Sequence, residues 1–118
     1  MEVREGFGVG LSQDQKKYMY NLIRETLINK SYGGVDSTKE EHYTQRAFHI
    51  GRTFNNHYGG VWSCICGEII NDNLDFSFSL SAVRFQSVVV HKKHFFYVGQ
   101  IYDPLAAISN TDSEWNLK

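Results

Sequence analysis

The sequence predicts an α+β domain in which two helices pack on an antiparallel β-sheet. Three observations carry that reading. Two early stretches repeat apolar residues at helical spacing and open on capping patterns. After Gly60 the period changes from helical to strand-like. The later strands succeed one another through short connections, and such segregation of helices from strands argues an antiparallel sheet.

Residues 3–10 alternate apolar residues with polar residues or glycine, which fits a short, glycine-weakened edge strand or a loose arm. Ser12 and Gln15 then form an S-x-x-Q capping box. Met19, Leu22, Ile23, Thr26 and Leu27 come next on one helical face, and Gly33-Gly34 is expected to end the helix soon after Lys30. The second helix is expected to start near Ser37, boxed with Glu40. Tyr43, Ala47, Ile50, Phe54 and Tyr58 give its apolar stripe. Gly51 weakens it locally by about 1 kcal/mol relative to alanine, and Gly59-Gly60 ends it.

Residues 61–70 are rich in β formers and read as the first long strand. Asn71-Asp72-Asn73 is a turn signal. Phe76, Phe78 and Leu80 alternate with Ser77, Ser79 and Ser81, so a strand there has one buried and one hydroxyl-lined face. Further strands are expected at 85–90 and 95–102, the last apolar on both faces. Pro104 demotes the next stretch to an edge or loop. The organisation is thus an arm or strand at 1–10, one domain at 11–108, and a polar, mobile tail from 109.

Composition narrows the function. The chain has 118 residues, enough for one core without metal or disulfide staples. Twelve basic and thirteen acidic residues leave a net charge of -1, which gives little support to phosphate-driven nucleic-acid binding. The opening Met1-Glu2-Val3-Arg4-Glu5 is unlike a signal peptide, and no apolar run approaches the roughly 20 residues of a membrane span. Neither a nucleic-acid nor a membrane partner is expected. Cys64 and Cys66 lie one residue apart. On a strand such neighbours sit near or beyond the roughly 6.8 Å Cα separation a disulfide tolerates, so they read as free thiols in a reducing, cytoplasmic setting.

Candidate catalytic chemistry is sparse. A zinc site drawn from Cys64, Cys66 and two of the five histidines is disfavoured, because structural zinc prefers a wider cysteine spacing. The simpler reading is two small groups packed under the helices. A Cys-His nucleophile pair has no local motif to support it. Gly6-Phe7-Gly8-Val9-Gly10 lacks nucleotide-loop spacing. His91-Lys92-Lys93-His94 reads as a solvated turn between strands rather than an anion site. No cofactor, no metal and no catalytic residue are expected.

One resemblance carries more. The helix end and strand Phe54-Asn55-Asn56-His57-Tyr58-Gly59-Gly60-Val61-Trp62-Ser63-Cys64-Ile65-Cys66-Gly67 resembles the small cytoplasmic dynein light chains, which carry Phe-x-x-x-Tyr, a short turn and Trp-x-Cys-Ile-x-Gly. Residues 84–91 resemble that family's groove strand, and His94-Phe95-Phe96-Tyr97-Val98-Gly99-Gln100 resembles its His-Phe-x-Tyr…Leu-Gly-Gln strand. The resemblance spans residues 11–102. It departs in about sixteen extra residues, 68–83. Gln86 stands where the family has glycine, Thr44 where it has a peptide-reaching lysine, and Ser63 where it has an interface histidine.

The resemblance implies a non-enzymatic, dimeric adaptor of a cytoplasmic or axonemal motor complex on the cytoskeleton. Its partners would be extended peptide segments, such as those of a dynein intermediate chain, bound by strand addition. The implied peptide-binding set is Arg84, Phe85, Gln86, Ser87, Val88, Val89, Val90 and His91, with Tyr97 as a wall and Thr44 on the helix. A second reading has the groove closed by the chain's own inserted strand, leaving an assembly subunit. A third, weaker one is a thiol or zinc enzyme using Cys64 or Cys66. A homodimer is expected, because two helices cover one face of the sheet only. Residues 74–81 would either cross to the partner, as in the family, or fold back as a local hairpin.

Overall fold

The computed structural model describes residues 1–72 and 81–105. The expected strand around Phe76, Phe78 and Leu80, and the tail from 109, lie outside the described residues. The elements are β1 (Val3–Val9), α1 (Gln13–Ile28), a single 3-10 turn (Lys30–Tyr32), α2 (Glu40–Tyr58), β2 (Val61–Glu68), β3 (Arg84–Val90) and β4 (His94–Tyr102). The four strands form one antiparallel sheet in the order β1-β3-β4-β2. Two helices on an antiparallel sheet is the architecture expected.

Helix α1 opens on the capping box that the sequence announces. Ser12 Oγ accepts from the Gln15 amide at 3.1 Å, and Gln15 Oε1 accepts from the Ser12 amide at 3.0 Å. The helix ends earlier than the glycine pair suggests. Asn29 takes over at its C-terminus, its side chain accepting from the Ser31 amide and hydroxyl, which starts the 3-10 turn. Gly33 then closes that turn in a left-handed conformation. Helix α2 also starts later than expected. Its N-cap is Lys39, without a side-chain cap, and the Ser37 hydroxyl is bonded instead to Nδ1 of His42. The local alternative for a serine hydroxyl wins over the cap.

The core lies between the helices and one sheet face. Met19, Leu22, Ile23 and Leu27 of α1 and Ile50 and Phe54 of α2 meet Trp62, Val88, Val90, Phe96 and Val98. Every second strand residue contributes, as the period of two requires. Trp62 is anchored at three points. Its ring packs against Phe54 at 4.8 Å, its indole N–H donates to the Gly59 carbonyl at 2.9 Å, and its amide donates to Asn55 Oδ1 at 2.6 Å.

On the opposite face, Phe95 and Tyr97 are only 6% and 4% exposed within a single chain. That removes part of the reason for expecting a second subunit, since these two rings are covered without one. Ile65, on the same face, is half-buried. The turn between β3 and β4 is as expected: His91 and Lys92 both have positive φ, 54° and 56°, and the Lys93 amide closes on the Val90 carbonyl. Two positive-φ residues make the mirror-image turn that matches strand twist. His94 belongs to β4 instead and is fully buried.

Candidate functional site

Strand β3 does not offer an open edge. It pairs with β4 on one side and with β1 on the other, Val3 opposite Val90 and Val9 opposite Phe85. The sequence suggested an incoming peptide along Phe85, Ser87, Val89 and His91; the chain's own N-terminal strand lies there. The fit of β1 explains its glycines. The register slips between Glu5 and Gly8, and a side chain at Gly8 would collide with the Gln86 amide. That amide is 3% exposed and donates to the carbonyls of Gly6, Phe7 and Ser87. Ser87 Oγ adds a bond to the Phe7 carbonyl at 3.1 Å. Glu5 ties β1 to α1 through the Tyr20 hydroxyl and Lys16 Nζ.

The remaining predicted residues are dispersed. Val88 and Val90 point into the core. Val89 is half-buried on the far face, beside the stacked rings of Phe85 and Tyr97, whose centroids are 5.3 Å apart. Arg84 turns to the other end of the sheet, bonding Gln100 and pairing with Asp103 at 3.1 Å. His91 is exposed in the turn.

The concave site lies elsewhere, between α2 and β2. Strand β2 pairs with β4 on one side; among the described residues no strand pairs with its other side. Beside that edge runs a groove of about 670 Å³. Its helix wall includes Glu40, Thr44, Ala47, Phe48, Arg52 and Asn55, and its strand wall is residues 62–66. Of the implied peptide-binding set, Thr44 is the one in the groove, and Ser63, Cys64 and Cys66 lie in its strand wall. Phe48 is 67% exposed at its rim. Thr44, Phe48, Gly51 and Asn55 form a second helical stripe, displaced by one position from Tyr43, Ala47, Ile50 and Phe54. That offset repetition was the available signal.

The groove walls are fixed by specific contacts. Cys66 Sγ donates to the Tyr43 carbonyl at 3.1 Å, and Asn55 holds the other end of β2 through Trp62. Gly51 faces the β2 backbone, with space for a methyl group against the Cys64 amide and the Trp62 carbonyl. The two thiols are half-buried and free. Hydrogen bonding to Cys66, then burial, pushes the Cys64 thiol well above its ordinary range, which disfavours a thiolate nucleophile. Among the described residues no group of three or more histidine, cysteine or acidic side chains is placed to hold a metal. Among them, too, no helix is long and apolar enough to cross a membrane.

Behind the groove, Arg46 is fully buried. One guanidinium nitrogen donates to the carbonyls of Tyr32 and Gly34 at 2.7 and 2.8 Å, and the cation sits 5.0 Å from the Tyr43 ring centre. Burial lowers its pKa. This arrangement holds the loop before α2 against the helix.

Two helices on an antiparallel sheet, four-stranded among the described residues, make the dynein-light-chain-like fold. The chain matches two structures of the dynein light chain-like domain of Fasciola hepatica calcium binding protein FhCaBP2 with TM-scores of 0.59 and 0.60, at 14% identity. The alignments cover 83% and 84% of this chain and 90% of that domain. The dynein-light-chain-like domain of CsTAL3 matches with a TM-score of 0.56 at 10% identity, over 86% of this chain and 94% of that one. The likeness is one of fold. No protein-family profile and no curated protein matches the sequence.

Proposed function

We propose that the chain is a non-enzymatic adaptor of the dynein-light-chain type, which dimerises and takes extended segments of partner proteins by strand addition. The observation that carries this is the groove under α2, beside an edge of β2 that no strand among the described residues pairs with. Such an edge presents backbone donors and acceptors to an incoming strand, and the groove takes alternate side chains. The resemblance and the fold together support a place in a cytoplasmic motor complex, with a dynein intermediate chain as one partner of the right kind. The edge of β2, rather than Phe85 to His91, is the acceptor in this reading, and binding along β3 requires β1 to leave.

The test is a pull-down with mass spectrometry on three chains. Thr44 is exposed and its hydroxyl bonds only within its own helix turn, to the Glu40 carbonyl at 3.3 Å. Thr44→Trp therefore fills the groove without disturbing the core, and it is expected to remove the partners that the unaltered chain captures. Val89→Arg, on the far face, is expected to retain them. The opposite pattern would place the site on β3.

An assembly subunit whose groove strand is closed by β1, in place of the inserted strand expected at 68–83, is favoured by one observation, the pairing of β1 along β3. It predicts no captured peptide with any of the three chains.

A further inference from the structure

We propose that Cys64 and Cys66 form a two-coordinate site for copper(I), held as a bis-thiolate between β2 and α2. The two thiols meet in a particular way. They stand two positions apart on β2, so their side chains share the face that Trp62 turns towards the helices. The Cys64 side chain is hydrogen-bonded to that of Cys66. Cys66 Sγ in turn reaches the Tyr43 carbonyl of α2 at 3.1 Å. Both cysteines pack against the core cluster. The pair thus faces the helix, and the site does not depend on what lies along the outer edge of β2.

The chemistry of the pair selects the ion. Alternate residues on a strand are roughly 6.6 Å apart at their Cα atoms, at the outer limit for a disulfide. That separation suits two sulfurs with an ion between them. Thiolates are soft ligands and favour copper(I) or zinc. Structural zinc takes four ligands, and among the described residues no group of three or more histidine, cysteine or acidic side chains is placed to hold a metal. Copper(I), a closed-shell ion, is satisfied by two thiolates in line.

Charge favours the same complex. Copper(I) replaces the two thiol protons, which pass to solvent, and its oxidation state does not change. One copper(I) with two thiolates carries a single negative charge. Behind the pair lies Arg46, fully buried. Its Nε and Nη1 have no hydrogen-bond partner among the described residues, and no carboxylate among them pairs with it. Arg46 and Cys66 lie within electrostatic reach of each other. A buried cation is costly without an opposite charge, and the anionic complex supplies one.

The test supplies copper(I), as its acetonitrile complex, to the whole reduced chain without oxygen, in weak buffer at neutral pH. One ion per chain is expected to bind in competition with ferrozine, with release of two protons and no change in sedimenting mass. Cys64→Ser and Cys66→Ser are each expected to lose the binding while keeping the circular dichroism of the unaltered chain. Zinc(II) under the same conditions is expected to stay unbound. Binding that survives either substitution, or one ion shared by two chains, overturns the chelate. Equal binding of zinc overturns the two-coordinate geometry. Fewer than two protons released, or no copper taken from ferrozine, overturns the proposal on the unaltered chain alone, so the result stands even where a serine variant fails to fold.

Discussion

Tyr43 and His94 share a buried hydrogen bond of 2.7 Å that joins α2 to the first residue of β4. The Val35 carbonyl lies 2.6 Å from Nε2 of the same imidazole. A carbonyl only accepts, so Nε2 carries the proton and Nδ1 accepts from the tyrosine. Burial disfavours the charged form and holds the imidazole neutral.

Stability is expected to fall on acidification for this reason. Burial lowers the His94 pKa from 6.5 to about 4. Between those values the unfolded chain binds the proton and the folded chain resists it. The contribution is complete above pH 6.5 and is lost as pH falls towards 4, with an upper bound of about 3 kcal/mol. Urea melts at pH 7.5 and 4.5 check this. In His94→Gln the part of the pH dependence that arises in this window should disappear.

Gly51→Ala is expected to stabilise the protein. A methyl group there would meet the Cys64 amide and the Trp62 carbonyl at 3.8 Å each, which is ordinary contact. Alanine also removes the helix cost of glycine, so the gain is about 0.5–1 kcal/mol. A rise in the urea midpoint at constant slope would show it. A fall would mean that α2 and β2 are packed more tightly than this.

Gly8→Val is expected to detach β1. The new side chain would displace the Gln86 amide and its three bonds, at a cost of about 1–3 kcal/mol. Hydrogen exchange should quicken at the β3 amides that face β1, while the β2–β4 ladder stays protected. Uniform loss of protection would instead make β1 part of one cooperative unit.

The chain is expected to be a dimer at micromolar concentration, with twice its mass of 13.6 kDa. The covered rings of Phe95 and Tyr97 do not require it; the exposed Phe48 favours it. Sedimentation equilibrium decides, and a monomer at all concentrations would leave the adaptor without bivalence.

What sequence made legible was local. The Ser12–Gln15 box, the stripes of both helices and the Lys92 turn are each written within a few residues of themselves. The state of each sheet edge was not, because it depends on which distant segment pairs there. Residues 84–91 look like a groove strand by their own pattern. Only the contact of Gln86 with Gly6 and Phe7, about eighty residues away, shows that the place is taken. The groove was missed for a related reason. It belongs half to the less apolar side of α2 and half to β2, and neither half is distinctive alone.

The order of the strands also sets an order of assembly. Strands β3 and β4 are joined by a three-residue turn and lie together at the centre of the sheet. Their pairing closes a small loop, at little entropic cost, and such hairpins form in microseconds. The flanking strands must be brought from far along the chain, β1 across more than seventy residues and β2 across about thirty. The sheet thus grows outward from its middle. Among the described strands the two margins, β1 on one side and β2 on the other, are expected to zip up last and to breathe first.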